Sequence, residues 1–191
     1  MNELVFYFKE GWQHIISVDA VDHQLFVLAL VAVFQIKDWK KILVLVTAFT
    51  ISHSITLFLS VYKIISISTA WVEFLIPCTI IVTSITNLYL FKNIQKHISF
   101  HYAIALSFGL IHGLGFANTI RFMLAKGQGL GTALLGFNVG LELGQLLVVT
   151  IILISSFILI KTFKLLQKYW VYLLTALTFT WAVNMALVRL P

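Results

Sequence analysis

Apolar runs of membrane-spanning length follow one another along this chain, separated by short segments that hold most of its lysines. A helix needs about 20 consecutive apolar residues to cross a bilayer core. Runs near that length lie at 20–36, 41–60, 71–91, 102–122, 131–160 and 167–188. Backbone groups in hydrocarbon must bond internally, and long, continuously apolar runs do so as helices. The expected fold is therefore an all-α integral membrane protein. It is read as one polytopic domain over 1–191, a compact bundle of about six transmembrane helices. Composition agrees: only 10 % of residues are charged, where a soluble domain has roughly 25 %. The mean hydropathy is +0.99, and the 16 Phe and 5 Trp suit a surface facing lipid.

The first run is short, opens with Asp22 and His23, and is completed by the preceding IISVDAV stretch. The fifth is long enough to tilt, bend or project beyond the bilayer. In MNELVFYFKEGWQH, Lys9 and Glu10 interrupt Leu4, Phe6, Phe8 and Trp12, so this stretch reads as a short amphipathic or re-entrant lead-in. It has no basic start, apolar core and small-residue cleavage site in sequence, and does not read as a secretory signal.

Short loops set the expected orientation. Lys37, Lys40, Lys41, Lys92, Lys96, Lys161, Lys164 and Lys168 fall on one side, and Lys9, Lys63, Arg121, Lys126 and Arg189 on the other. The bias places the three denser loops in the cytoplasm and both termini outside, in the inner (cytoplasmic) membrane. The net charge of +6 is explained by these anchors and does not argue for nucleic acid. Cys78 is the lone cysteine, which excludes a disulfide framework and a thiolate cluster.

Within the apolar runs sit ionisable groups, and each is expensive unless it has a role or a partner. On the expected topology His23, His53, Glu73, His112 and Glu142 share the outer half or the midplane, as one site open to the outside would require. Asp22 and His23 are adjacent, so they are expected on different sides of a helix. Asp22 and Asp19 are placed to cap its start, and His23 to turn inward. His14 is read as lying in an outer loop that folds back over the cluster.

Thr47, Thr50 and Ser54 form a polar stripe beside His53, positioned to hold its second ring nitrogen. Their structural alternative is bonding to their own helix. Glu73, Pro77, Ser84 and Asn87 lie close to one face of the third run. Glu73 is a hard oxygen ligand, a partner for a histidine, or an interfacial residue beside Trp71. Pro77 lacks an N–H and so frees the Glu73 carbonyl. Gly109 and Gly113 flank His112, and Gly136, Gly140 and Gly144 recur at four-residue steps, both patterns of close helix approach. The second stripe packs either within one chain or between chains, which puts a homo-oligomer among the expected partners. Asn138, Glu142 and Gln145 occupy a separate stripe of the fifth run. The sixth run holds Asn184 and is read mainly as packing. No P-loop, dinucleotide fingerprint, HExxH or GxSxG occurs.

The phrases WQHIISVDAVDHQLF, TAFTISHSITL, FGLIHGLGFA and FNVGLELGQ, in this order, together resemble the HupE/UreJ membrane protein family, particularly its second branch. The likeness covers most of residues 11–146. It implies a small permease for nickel or cobalt. On that resemblance His14, Asp22 and His23 match the first motif, His53 the second, His112 the third and Glu142 the last.

Two classes of function follow. The first is transport of a divalent transition-metal ion, nickel or cobalt, with His14, Asp22, His23, His53, Glu73, His112 and Glu142 as the metal site. Imidazoles suit such borderline metals and carboxylates neutralise charge. Ser84, Asn87 and backbone carbonyls are the exit candidates. The second is an intramembrane zinc hydrolase, with His23, His53 and His112 as ligands and Glu73 or Glu142 as base. A structural or accessory membrane protein is the third alternative. The transport reading assigns no catalytic and no cofactor-binding residue; its partners are the lipid bilayer and the metal ion.

Overall fold

The computed structural model describes residues 2–91, 97–123 and 129–191, without the side chains of 117, 118 and 121–123. Lys92, Lys96 and Lys126, and the side chain of Arg121, used above for orientation, lie outside what is described. The described residues are helical throughout, with short connections: α1 Glu3–Ile16, α2 Val21–Val31, α3 Trp39–Val61, α4 Thr69–Leu90, α5 Ile98–Met123, α6 Leu130–Phe157 and α7 Gln167–Val188. Five helical stretches are long and apolar enough to cross a membrane, and α1 with α2, bent by 68°, makes a sixth if the pair counts as one span. The chain is a multi-pass membrane protein.

The bend has a local cause. The side chain of Asn2 accepts the Leu4 N–H at 3.2 Å and starts α1. At the other end the Gln24 amide of α2 donates to the carbonyls of Ile15 (3.1 Å) and Ser17 (2.8 Å). Carbonyls at a helix end lack intrahelical partners; the Ser17 carbonyl also accepts the Ala20 N–H at 3.1 Å, and Gln24 adds the bonds that pin α2 across the end of α1. At 11 residues, α2 rises only about 16 Å and cannot cross alone. It stops at Val31 rather than reaching 36. Asp38 then folds back on the Gln35 backbone N–H (3.2 Å), while the Gln35 side chain donates to Gln167 at the start of α7 (2.7 Å).

Two parallel helix pairs form the centre. In α1–α6, a Cβ on Gly140 would run into the Phe8 carbonyl oxygen, and one on Gly136 would lie 2.6 Å from that of Leu4. In α3–α5, a Cβ on Gly113 would meet the His53 carbonyl oxygen and Thr56 Oγ1, and one on Gly109 the Phe49 carbonyl oxygen. Both contacts advance in steps of four residues on each helix, the spacing of one face. The α6 stripe is thus occupied by α1 of the same chain, not held open for a second copy. An antiparallel pair, α4–α7, closes the bundle through Ser84 and Thr178 (hydroxyls 2.8 Å apart) and through Phe91 and Tyr172 (rings 5.9 Å apart).

Candidate functional site

The tight pairs decide where the histidines meet. His53 and His112 sit on α3 and α5, His14 on the last turn of α1, and His23 on the first turn of α2. Ring centroids are 4.5 Å apart for His14–His23, 4.8 Å for His23–His112, 6.2 Å for His14–His53 and 6.5 Å for His23–His53. Four elements therefore bring four imidazoles to one end of the bundle. Phenylalanines wall the group: Phe116 lies 4.1 Å and Phe137 5.4 Å from His14, and Phe49 5.4 Å from His112. His53 and His112 are 0 % and 1 % exposed. Phe26, Phe116 and Phe137 were not singled out from the sequence, where phenylalanine is too common to mark a site.

A cavity of about 360 Å³ opens onto this group, lined by His14, Asp19, Asp22, His23, Glu73 and His112, with Gly115 and Arg189. Glu73 is exposed at its edge. His53 lies beneath, outside the cavity lining but in ring contact with His14 and His23.

Asp22 does not cap α2 in the way expected. The N-cap is Ala20, without a side-chain bond. Asp22 Oδ1 instead accepts from the backbone N–H of His23 at 2.8 Å and meets His23 Nδ1 at 3.0 Å. The two neighbours, expected on different sides, thus share the cavity. In a first turn the N–H groups are free, and a short carboxylate bends over them. An ionised carboxylate only accepts, so Nδ1 carries the proton and Nε2 is the nitrogen left for another partner. Asp22 Oδ2 faces Arg189 Nη1 at 3.5 Å. His14 is corrected as well: it belongs to helix α1, not to a loop, and it is half-buried against the other rings.

The stripe of hydroxyls does not hold His53. Thr47 Oγ1 donates to Glu142 Oε1 (2.6 Å), Thr50 to Gln145 Oε1 and to the Val46 carbonyl (3.2 Å each), and Ser54 to the Thr50 carbonyl (2.6 Å). Helical hydroxyls reach the carbonyl a turn back more readily than a ring on the next residue. Glu142 thus belongs to a seam between α3 and α6. Thr47 precedes His53 by six residues, roughly 9 Å of rise along α3. Asn138, on the same stripe, lines a groove with Ser54, its Oδ1 buried without a hydrogen-bond partner among the described residues. On α4, Ser84 is engaged with Thr178, and the Asn87 amide donates to the Ala29 carbonyl at 2.7 Å.

What remains is a set of unanswered nitrogens. Among the described residues, Nε2 of His14 and of His23 and both ring nitrogens of His53 and His112 are buried without a hydrogen-bond partner. Buried polar atoms are normally bonded, and a concentration of exceptions asks for a ligand. The rings are neighbours, yet their donor atoms do not converge. Among the described residues, no three His, Cys, Asp or Glu side chains are arranged to hold a metal ion as they stand.

The family model described as HupE / UreJ protein matches residues 1–189. No curated protein and no solved structure matches the chain. With nearly its whole length covered, the chain belongs to the HupE/UreJ family.

Proposed function

From that membership and the histidine cavity, we propose that the protein carries a divalent transition-metal ion, nickel or cobalt, across the inner membrane. Both termini and the cavity face outward in this reading. The observation that supports it most is the six buried imidazole nitrogens beside an open cavity that have no hydrogen-bond partner among the described residues. Neutral imidazole is a ligand of choice for these metals and a poor one for the abundant hard cations.

Glu73 at the edge attracts the hydrated ion. Asp22 holds the His23 ring so that Nε2 is offered to it, a carboxylate–histidine arrangement that orients a ligand and raises its basicity. His14 and His112 replace further waters, and His53 takes the ion deeper. Glu142 on α6, bonded to Thr47 six residues before His53 on α3, is the next carboxylate on the way inward. Asn87 follows on α4, its Oδ1 buried and without a partner among the described residues.

Donors gathered without converging suit an ion that is taken up and passed on. A resident zinc hydrolase needs three ligands held in a fixed tetrahedral set, so the transport reading is preferred to that one. The test is reconstitution in liposomes loaded with a metal-sensitive dye, comparing Ni, Co, Zn and Mn. Ni or Co entry above empty liposomes is expected, and it should be lost in His53→Ala and His112→Ala. No entry with or without a pH gradient would overturn transport. Retained transport in both variants would overturn the site.

A further inference from the structure

Arg189 sits at the end of α7, half-buried, and lines the same cavity as Asp22, His23 and Glu73. A fixed positive charge there opposes a cation. For a divalent ion about 6 Å away, even water's dielectric makes the repulsion worth roughly tenfold in affinity. Its geometry shows what that charge touches. Asp22 has two oxygens: Oδ1 is taken by His23, through N–H at 2.8 Å and Nδ1 at 3.0 Å, and Oδ2 faces Arg189 Nη1 at 3.5 Å.

We propose that Arg189 sets the specificity of the site by occupying the carboxylate oxygen that hard cations would otherwise use. This rests on the transport reading above. Mg, Ca and Mn ions depend on anionic oxygen ligands, while Ni and Co gain more from imidazole. With Oδ2 held by the guanidinium, Asp22 acts only through His23, and an arriving ion is offered nitrogen. Arg189 is thus a positioning residue: it tunes selectivity through Asp22 without touching the ion. From the sequence it reads as no more than a charge after an apolar run.

The experiment measures Ni and Mn binding by equilibrium dialysis on the purified full-length protein, for wild type, Arg189→Gln, Arg189→Met and Arg189→Lys. Both neutral variants are expected to bind both ions more tightly because a positive charge is lost, and Mn to gain several-fold more than Ni because Asp22 Oδ2 becomes available to it, so the Ni-over-Mn preference falls. Arg189→Lys should restore most of it. A preference within twofold of wild type in both neutral variants overturns the proposal and leaves transport standing. An equal weakening for both ions, the mark of a mere anchor, also overturns it. A wild type that binds no Ni overturns the transport reading and this proposal with it.

Discussion

The histidine group and the α3–α6 seam adjoin on one helix, with Thr50 three and Thr47 six residues before His53, yet they are built on opposite terms. In the seam the hydroxyls of α3 meet side chains of α6: Thr47 with Glu142, Thr50 with Gln145. In the histidine group six ring nitrogens meet nothing among the described residues, and rings pack on rings and phenylalanines instead. Polar residues of similar rarity in apolar sequence therefore serve two purposes. Paired, they join helices; unpaired and next to a cavity, they wait for a ligand. Glu142 stands on the boundary, since it is tied into the seam but is also the nearest carboxylate inward of the histidines on the proposed route.

That contrast breaks first at His112. Replacing it by leucine should cut uptake in the liposome assay by about 100-fold or more, a ligand loss at least as large as removal of an outer-shell partner. The melting temperature in detergent should hold or rise, because two unpaired nitrogens leave the interior. A large fall in stability would mean that His112 is structural. Next is Gly113→Leu, which drives a side chain into the His53 carbonyl. It should cost about 1–3 kcal/mol by overpacking and abolish uptake by parting α5 from α3, as read by melting and by dye. Glu142→Gln keeps an acceptor for Thr47 and should leave stability within about 0.5 kcal/mol. Its uptake should still fall by roughly tenfold, the effect of 1.4 kcal/mol on an ion losing one charged oxygen; unchanged uptake would return Glu142 to the seam. Smallest is Thr47→Val, which leaves the carboxylate without its hydroxyl and should cost about 1 kcal/mol in melting.

Much of the architecture was legible because a bilayer imposes so few solutions. Run lengths and the glycine periods announced a bundle with close helix contacts, and WQHIISVDAVDHQLF to FNVGLELGQ announced the family. The break within the first span was half visible in its shortness. Its cause, Gln24 bonded to carbonyls seven and nine residues back, was not. The site was legible as residue types. His14, Asp22, His23, Glu73 and His112 do line one cavity, and His53 touches two of them. Missed were Arg189, 167 residues from Asp22, and the true partners of the hydroxyl stripe.

The sequence by itself determined that the chain enters a membrane as helices, and which of its rare ionisable groups end up inside. Hydrocarbon dictates both through length and cost. Only the tertiary structure decided which of them are spoken for. A partner is a matter of a few tenths of a nanometre between atoms far apart in the chain, and no spacing along one helix contains that. Hence Glu142 is bonded across to α3, His53 is left open, and Arg189 sits against the carboxylate of Asp22.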